Sequence, residues 1–148
     1  MGRVLALVGG ALVLCIAVLV LAVFLSRDED NLQADNLLAE RFTRAVQLAN
    51  QDTDGTVDLH DLTSFDWDRA LLVASGTSRE TISKRLGKEW TGIDTVDGGD
   101  LLIFLRGDEV VRFADYRGRG EFTGFQRPIA ELPPVLRVSP TLEISGAG

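Results

Sequence analysis

The apolar stretch VLALVGGALVLCIAVLVLAVFL constrains this chain more than any other feature. Val4 to Leu25 are all apolar or Gly, 22 residues without a charge. As a helix rising about 1.5 Å per residue the run reaches about 33 Å, which matches the roughly 30 Å hydrocarbon core of a bilayer. Residues 1–27 therefore read as a transmembrane anchor, with the lipid bilayer as partner through residues 4–25. Two other readings are weaker. A cleaved secretory signal has a shorter apolar core, about 7–15 residues, ahead of a small-residue cleavage site. Val20 and Ala22 could form that site, but Val23, Phe24 and Leu25 would follow the cut. A lipoprotein signal would use Cys15, yet Leu14 precedes it and apolar residues follow it.

The orientation signal is weak. Arg3 stands before the span and Arg27 after it, and the acids Asp28, Glu29 and Asp30 count for little in the positive-inside rule. A short basic N-terminus favours a C-terminal domain outside the cytoplasm. An acidic linker, residues 28–36, leads to one expected globular domain at 37–144, an ordinary size for a single core.

All 22 acidic residues and 13 of the 15 basic ones follow position 27, so the part beyond the anchor carries about −9. That charge excludes nucleic acid as a partner and argues against a surface lying flat on anionic lipid. The only cysteine is Cys15 and the only histidine His60. Disulfide and thiol chemistry are thus unavailable to the domain, and a zinc site there would be unusual. No cofactor is expected.

Along the chain, Leu38, Phe42, Ala45 or Val46, and Ala49 recur at helical spacing within 31–50. Ala70–Ala74 is a continuous apolar run that reads as a buried strand. TSRETISKRLG punctuates a short helix, with Thr77 as cap, Glu80 three residues on and Gly87 at its end. Leu101–Leu105 and Val110–Phe113 form a hairpin around the tight loop 106–109. Residues 117–124 read as an irregular Gly-rich loop. Val135–Val138, fenced by Pro133, Pro134 and Pro140, reads as an edge strand, and the tail from Ser145 as frayed. The expected class is α+β, a small mainly antiparallel sheet with helices on one face.

The segment DLTSFDWDRALLVASGTSRETISKRLG, residues 61–87, resembles a group of small exported or membrane-anchored bacterial proteins of unknown function. Those proteins share a Phe-Asp/Glu-Trp-Asp centre, then an apolar strand, a short helix ending in Leu-Gly, and a hairpin. Phe65, Asp66, Trp67 and Asp68 match the centre, and Leu86-Gly87 the helix end. The likeness covers about 60 residues and departs at Ser75-Gly76, where the group often has Pro-Tyr. It implies location and domain extent, not a reaction.

Three segments raise chemical possibilities. NQDTDGTVDLHD places Asn50, Asp52, Asp54, Gly55, Asp58 and Asp61 close to the spacing of a calcium loop. The closing position is Asp61 where bidentate closure wants Glu; Val57–Leu59 reads as a short strand within the loop, and after it LTSFDWDR, poor in helix formers, stands in place of an exit helix. The favoured reading is an acidic turn; the alternative is a weak calcium-binding module. Asp66 and Asp68 flank Trp67, and on a strand the two acids would share a face about 7 Å apart. They could then divide acid and base roles, with His60 as a third candidate, in a small envelope hydrolase. The blander reading makes Trp67 a core or ligand-binding anchor and the two acids backbone caps. Arg106-Gly107-Asp108 reads as what a tight hairpin needs rather than as an adhesion motif. No nucleophile elbow, P-loop or dinucleotide fingerprint is present. The leading expectation is a non-enzymatic binding or accessory module on a single-pass anchor, with an unidentified membrane or envelope protein as possible partner.

Overall fold

The structure is a computed structural model that describes residues 34–52, 55–93 and 96–147. The Val4–Leu25 span lies outside the described residues. Among those described, no helix is long and apolar enough to cross a membrane.

The chain is α+β, but it builds two four-stranded sheets rather than one. Helix α1 (Asn36–Ala49) starts where the Asp35 carboxylate accepts from the Leu38 amide. Its apolar stripe Leu38, Phe42, Val46 and Ala49 is buried. Strand β1 (Thr56–Asp58) follows, then a single helical turn α2 (Leu59–Leu62). Strand β2 (Arg69–Val73) leads to helix α3 (Arg79–Leu86). The hairpin β3 (Asp100–Arg106) and β4 (Glu109–Tyr116) comes next. Four short strands complete the chain: β5 (Glu121–Phe122), β6 (Ile129–Leu132), β7 (Val135–Val138) and β8 (Glu143–Gly146).

The first sheet, ordered β4-β3-β2-β6, is antiparallel throughout. Its two central strands are the continuous apolar runs of the sequence, and the reason is burial on both faces. Ala70, Leu72, Leu102 and Phe104 join α1 and the second sheet in one core. Leu71, Val73, Leu101 and Ile103 point the other way, into a second core with Ile82 of α3, Trp90 and Phe113. The expectation of helices on one face is therefore corrected. A sheet apolar on both faces needs a cover on each, and α1 and α3 cover opposite sides.

The second sheet, ordered β1-β7-β8-β5, corrects three further expectations. Val135–Val138 is not an edge strand, because β1 and β8 flank it. Pro133-Pro134 interrupts the ladder after β6, so the chain leaves the first sheet and starts the second. Residues 117–124 contain β5, whose Phe122 is buried and which pairs in parallel with β8. Ser145 and Gly146 are not frayed; Arg137 and Leu136 pair with them. The cap of α3 is Ser78, whose hydroxyl accepts from the Thr81 amide, while Thr77 is buried and donates to the Ala74 carbonyl. Gly87 ends α3 at φ 71°, as the sequence predicts.

Candidate functional site

The Phe65–Asp68 segment is an irregular connection with bends between α2 and β2, not a strand. Asp66 and Asp68 therefore do not share a pleated face, and the two acids do different things.

Trp67 points inward and is 9% exposed. Its indole N–H donates to the Thr63 hydroxyl at 2.9 Å, so the one polar atom of the ring has a partner. Its ring meets Phe104 edge-on at 5.2 Å, and Phe65 meets the same phenyl ring at 5.6 Å. On its outer side, the exposed His60 ring stacks at 4.1 Å. His60 is placed by α2, which opens with the Asp58 carboxylate accepting from the His60 amide. The motif is thus an aromatic pile running from Phe104 in β3 out to the surface.

Asp68 holds the tip of the neighbouring hairpin. Its amide donates to the Leu105 carbonyl, and its carboxylate accepts from the Gly107 amide at 2.6 Å. Arg69 completes the clamp by donating to the Gly107 carbonyl at 2.8 Å, and it pairs with Asp108 at 3.6 Å. Gly107 sits at φ 60°, a conformation that favours glycine in a two-residue turn. The Arg-Gly-Asp sequence is accordingly held through its backbone by the two residues after Trp67. Asp66 is exposed.

The calcium-loop residues are dispersed. Asn50 donates its side-chain amide to the carbonyls of Ser139 and Pro140, both at 2.9 Å, and so ties α1 to the end of β7. Asp58 caps α2, and Asp52 and Asp61 are exposed. Asp54 lies outside the described residues. Gly55 is required for a steric reason: a Cβ there would stand 1.8 Å from the Ala49 carbonyl oxygen. Its own carbonyl accepts from Val138, which joins the helix end to the second sheet. Where a calcium loop would start an exit helix, the chain makes only the single turn α2, and the short strand within the loop, β1, ends at Asp58. Among the described residues no three His, Cys, Asp or Glu side chains stand close enough to share a metal ion.

Two features escaped the sequence reading. Trp90 is fully buried, gives its indole N–H to the Ile93 carbonyl, and meets Phe113 at 5.1 Å. Its backbone amide donates to the Ser83 hydroxyl, which anchors it to α3. Tyr116, the only tyrosine, joins Phe42 and Phe122 in an edge-on cluster and donates its hydroxyl to the Arg119 carbonyl. Burial, together with the nearby Asp100 carboxylate, pushes the Tyr116 phenol up to about 12. A shallow depression beside this cluster, between Asp100, Phe125 and Arg127, has room for about one water molecule.

These features define an α+β domain whose aromatic motif is built into its core and in which Asp68 serves a turn and Asp58 a cap. Comparison with protein-family models, curated proteins and solved structures finds no match for this chain.

Proposed function

We propose that this chain is a single-pass membrane-anchored module whose domain stands outside the cytoplasm and binds or assists another membrane or envelope protein. The uncharged span Val4–Leu25 carries the reading, because burying 22 apolar residues in a bilayer is far cheaper than exposing them. The acidic balance of the rest supports a partner other than nucleic acid. The use made of the candidate acids supports a binding role over a hydrolytic one. Asp68 is committed to the Gly107 turn and Asp66 faces solvent, so no cleft gathers the pair. The motif resemblance at residues 61–87 points to the same location.

The test is extraction of native membranes with high salt and alkaline carbonate, followed by mass measurement of the N-terminus. The chain stays in the pellet with the span intact, and protease added outside the cytoplasm removes the domain. A mature N-terminus at Val23, or release into the supernatant, overturns the anchor.

A further inference from the structure

We infer that the solvent face of α1 is a docking surface for the headgroup layer of the bilayer, an inference that rests on the anchor proposed above. Leu37 and Leu48 are the exposed large hydrophobic residues among those described, 56% and 62% accessible. They lie on one helix, about three turns apart, and therefore on the same face. Between them on that face stand Arg41 and Arg44, both exposed, one Arg41 nitrogen donating to the Leu62 carbonyl at 3.5 Å. The result is a stripe of two leucines and two guanidinium groups, well away from the buried Leu38–Ala49 stripe. Glu40 borders it, Asp35 is occupied by the helix cap, and Asp61 lies on the adjacent α2 turn.

Chain length and charge identify the occupant. Only residues 26–35 separate the apolar span from α1, and at about 3.3–3.6 Å each they extend to about 35 Å at most. The stripe is confined to the neighbourhood of a bilayer at high effective concentration. Two leucines and two arginines are too few to hold a free domain on lipid; for a tethered one the entropy of approach has already been met. Leucines enter the headgroup boundary while guanidinium groups take lipid phosphates in bidentate fashion. The domain's net negative charge opposes anionic lipid at long range. At physiological salt, however, charges more than about 8 Å from the surface are screened, so the local stripe governs contact. The chemistry recognised is the lipid phosphate, which zwitterionic and anionic lipids both present.

The full chain, with Cys15→Ala, is labelled with an environment-sensitive fluorophore at Gln47→Cys, beside the stripe, or at Lys88→Cys, just past α3 on the other side of the first sheet. It is reconstituted into vesicles of phosphatidylcholine, alone or in equal parts with phosphatidylglycerol, containing lipid spin-labelled near the headgroup. Position 47 loses most of its emission in both compositions, more with phosphatidylglycerol, and position 88 keeps its own. Leu37→Glu with Leu48→Glu restores emission at 47, as does Arg41→Glu with Arg44→Glu. If 47 stays bright while the chain floats with the vesicles, docking is overturned and the anchor stands. A chain that does not float overturns both. Energy transfer between copies labelled at 47, without quenching by lipid, assigns the face to a second copy and overturns the inference.

Discussion

The imidazole of His60 lies almost flat on the indole of Trp67, with ring centroids 4.1 Å apart and planes 14° from parallel. One face of the histidine is therefore spent on shielding the tryptophan. The indole N–H is spent on Thr63, and Phe104 meets the ring edge-on. The Phe-Asp-Trp-Asp motif acts through packing and through the Asp68 contact with the Gly107 turn, while Asp66 faces solvent.

Removing the indole should cost most. Trp67→Ala is expected to lower unfolding free energy by about 3–5 kcal/mol, the cost of emptying a buried aromatic site. His60→Ala should cost about 0.5–1.5 kcal/mol, the worth of an aromatic pair, and shift tryptophan emission to the red. Denaturant titration and fluorescence read both. Unchanged emission in His60→Ala would show that the stack is absent in solution.

The two motif acids should separate sharply. Asp68→Ala removes a charge-assisted hydrogen bond to Gly107 and should cost about 1–2 kcal/mol, allowing for its exposure. Amide exchange at Gly107 should speed up in parallel. Asp66→Ala should stay within about 0.5 kcal/mol, as surface changes do. Equal and large effects from both would return the pair to consideration as a catalytic unit.

Gly55→Ala drives a methyl group into the Ala49 carbonyl and is expected to cost about 2–3 kcal/mol or more. The same geometry bears on calcium. With Asn50 and Asp58 engaged elsewhere, calorimetry at about 1 mM calcium should show no saturable heat. Saturable heat abolished by Asp54→Ala would make residues 50–61 a calcium site after all.

Tyr116 sets an alkaline limit. Its phenol titrates near 10 when unfolded and at about 12 when folded, chiefly through burial and then through Asp100. Between these values the folded state holds the proton that the unfolded state has lost. The stabilisation is complete below pH 10 and fades as pH rises towards 12, by about 1–2 kcal/mol after allowing for screening. Because this is the only tyrosine, the phenolate absorbance band reports it directly. Tyr116→Phe should flatten the loss, and a band rising near pH 10 in the folded protein would show the phenol to be accessible.

The elements dominated by local chemistry were readable from the sequence. Ala70–Ala74 and Leu101–Leu105 announce themselves because strands buried on both faces tolerate no polar residue. The α1 stripe and Gly87 are equally plain, and so is the inward Trp67. Pairing partners were hidden. Nothing near Val135 says that Val57 will lie beside Leu136 and Ile144 beside Val138, because the double proline that moves the chain between sheets looks the same as one that ends a strand. The clamp on Gly107 was hidden for a similar reason, since Asp68 and Arg69 reach it only through the β2–β3 pairing. Trp90 has no periodic apolar neighbours, so its burial follows from the loop that carries it. Ser78 and Thr77 are adjacent candidates for one cap, and only the buried Thr77 contact with Ala74 decides between them.

The order β1-β7-β8-β5 has a consequence for timing. Val57 leaves the ribosome long before Leu136, its partner, and Phe122 must wait for Ile144. The first sheet can zip as soon as Leu132 is made, but the face it shares with α1 stays only partly covered until the second sheet arrives. During synthesis, Leu72, Leu102 and Phe104 are thus the residues most in need of a chaperone's cover. Contacts of such long sequence separation also favour slow folding. A chain halted before residue 143 would keep its hairpin and lose its lid.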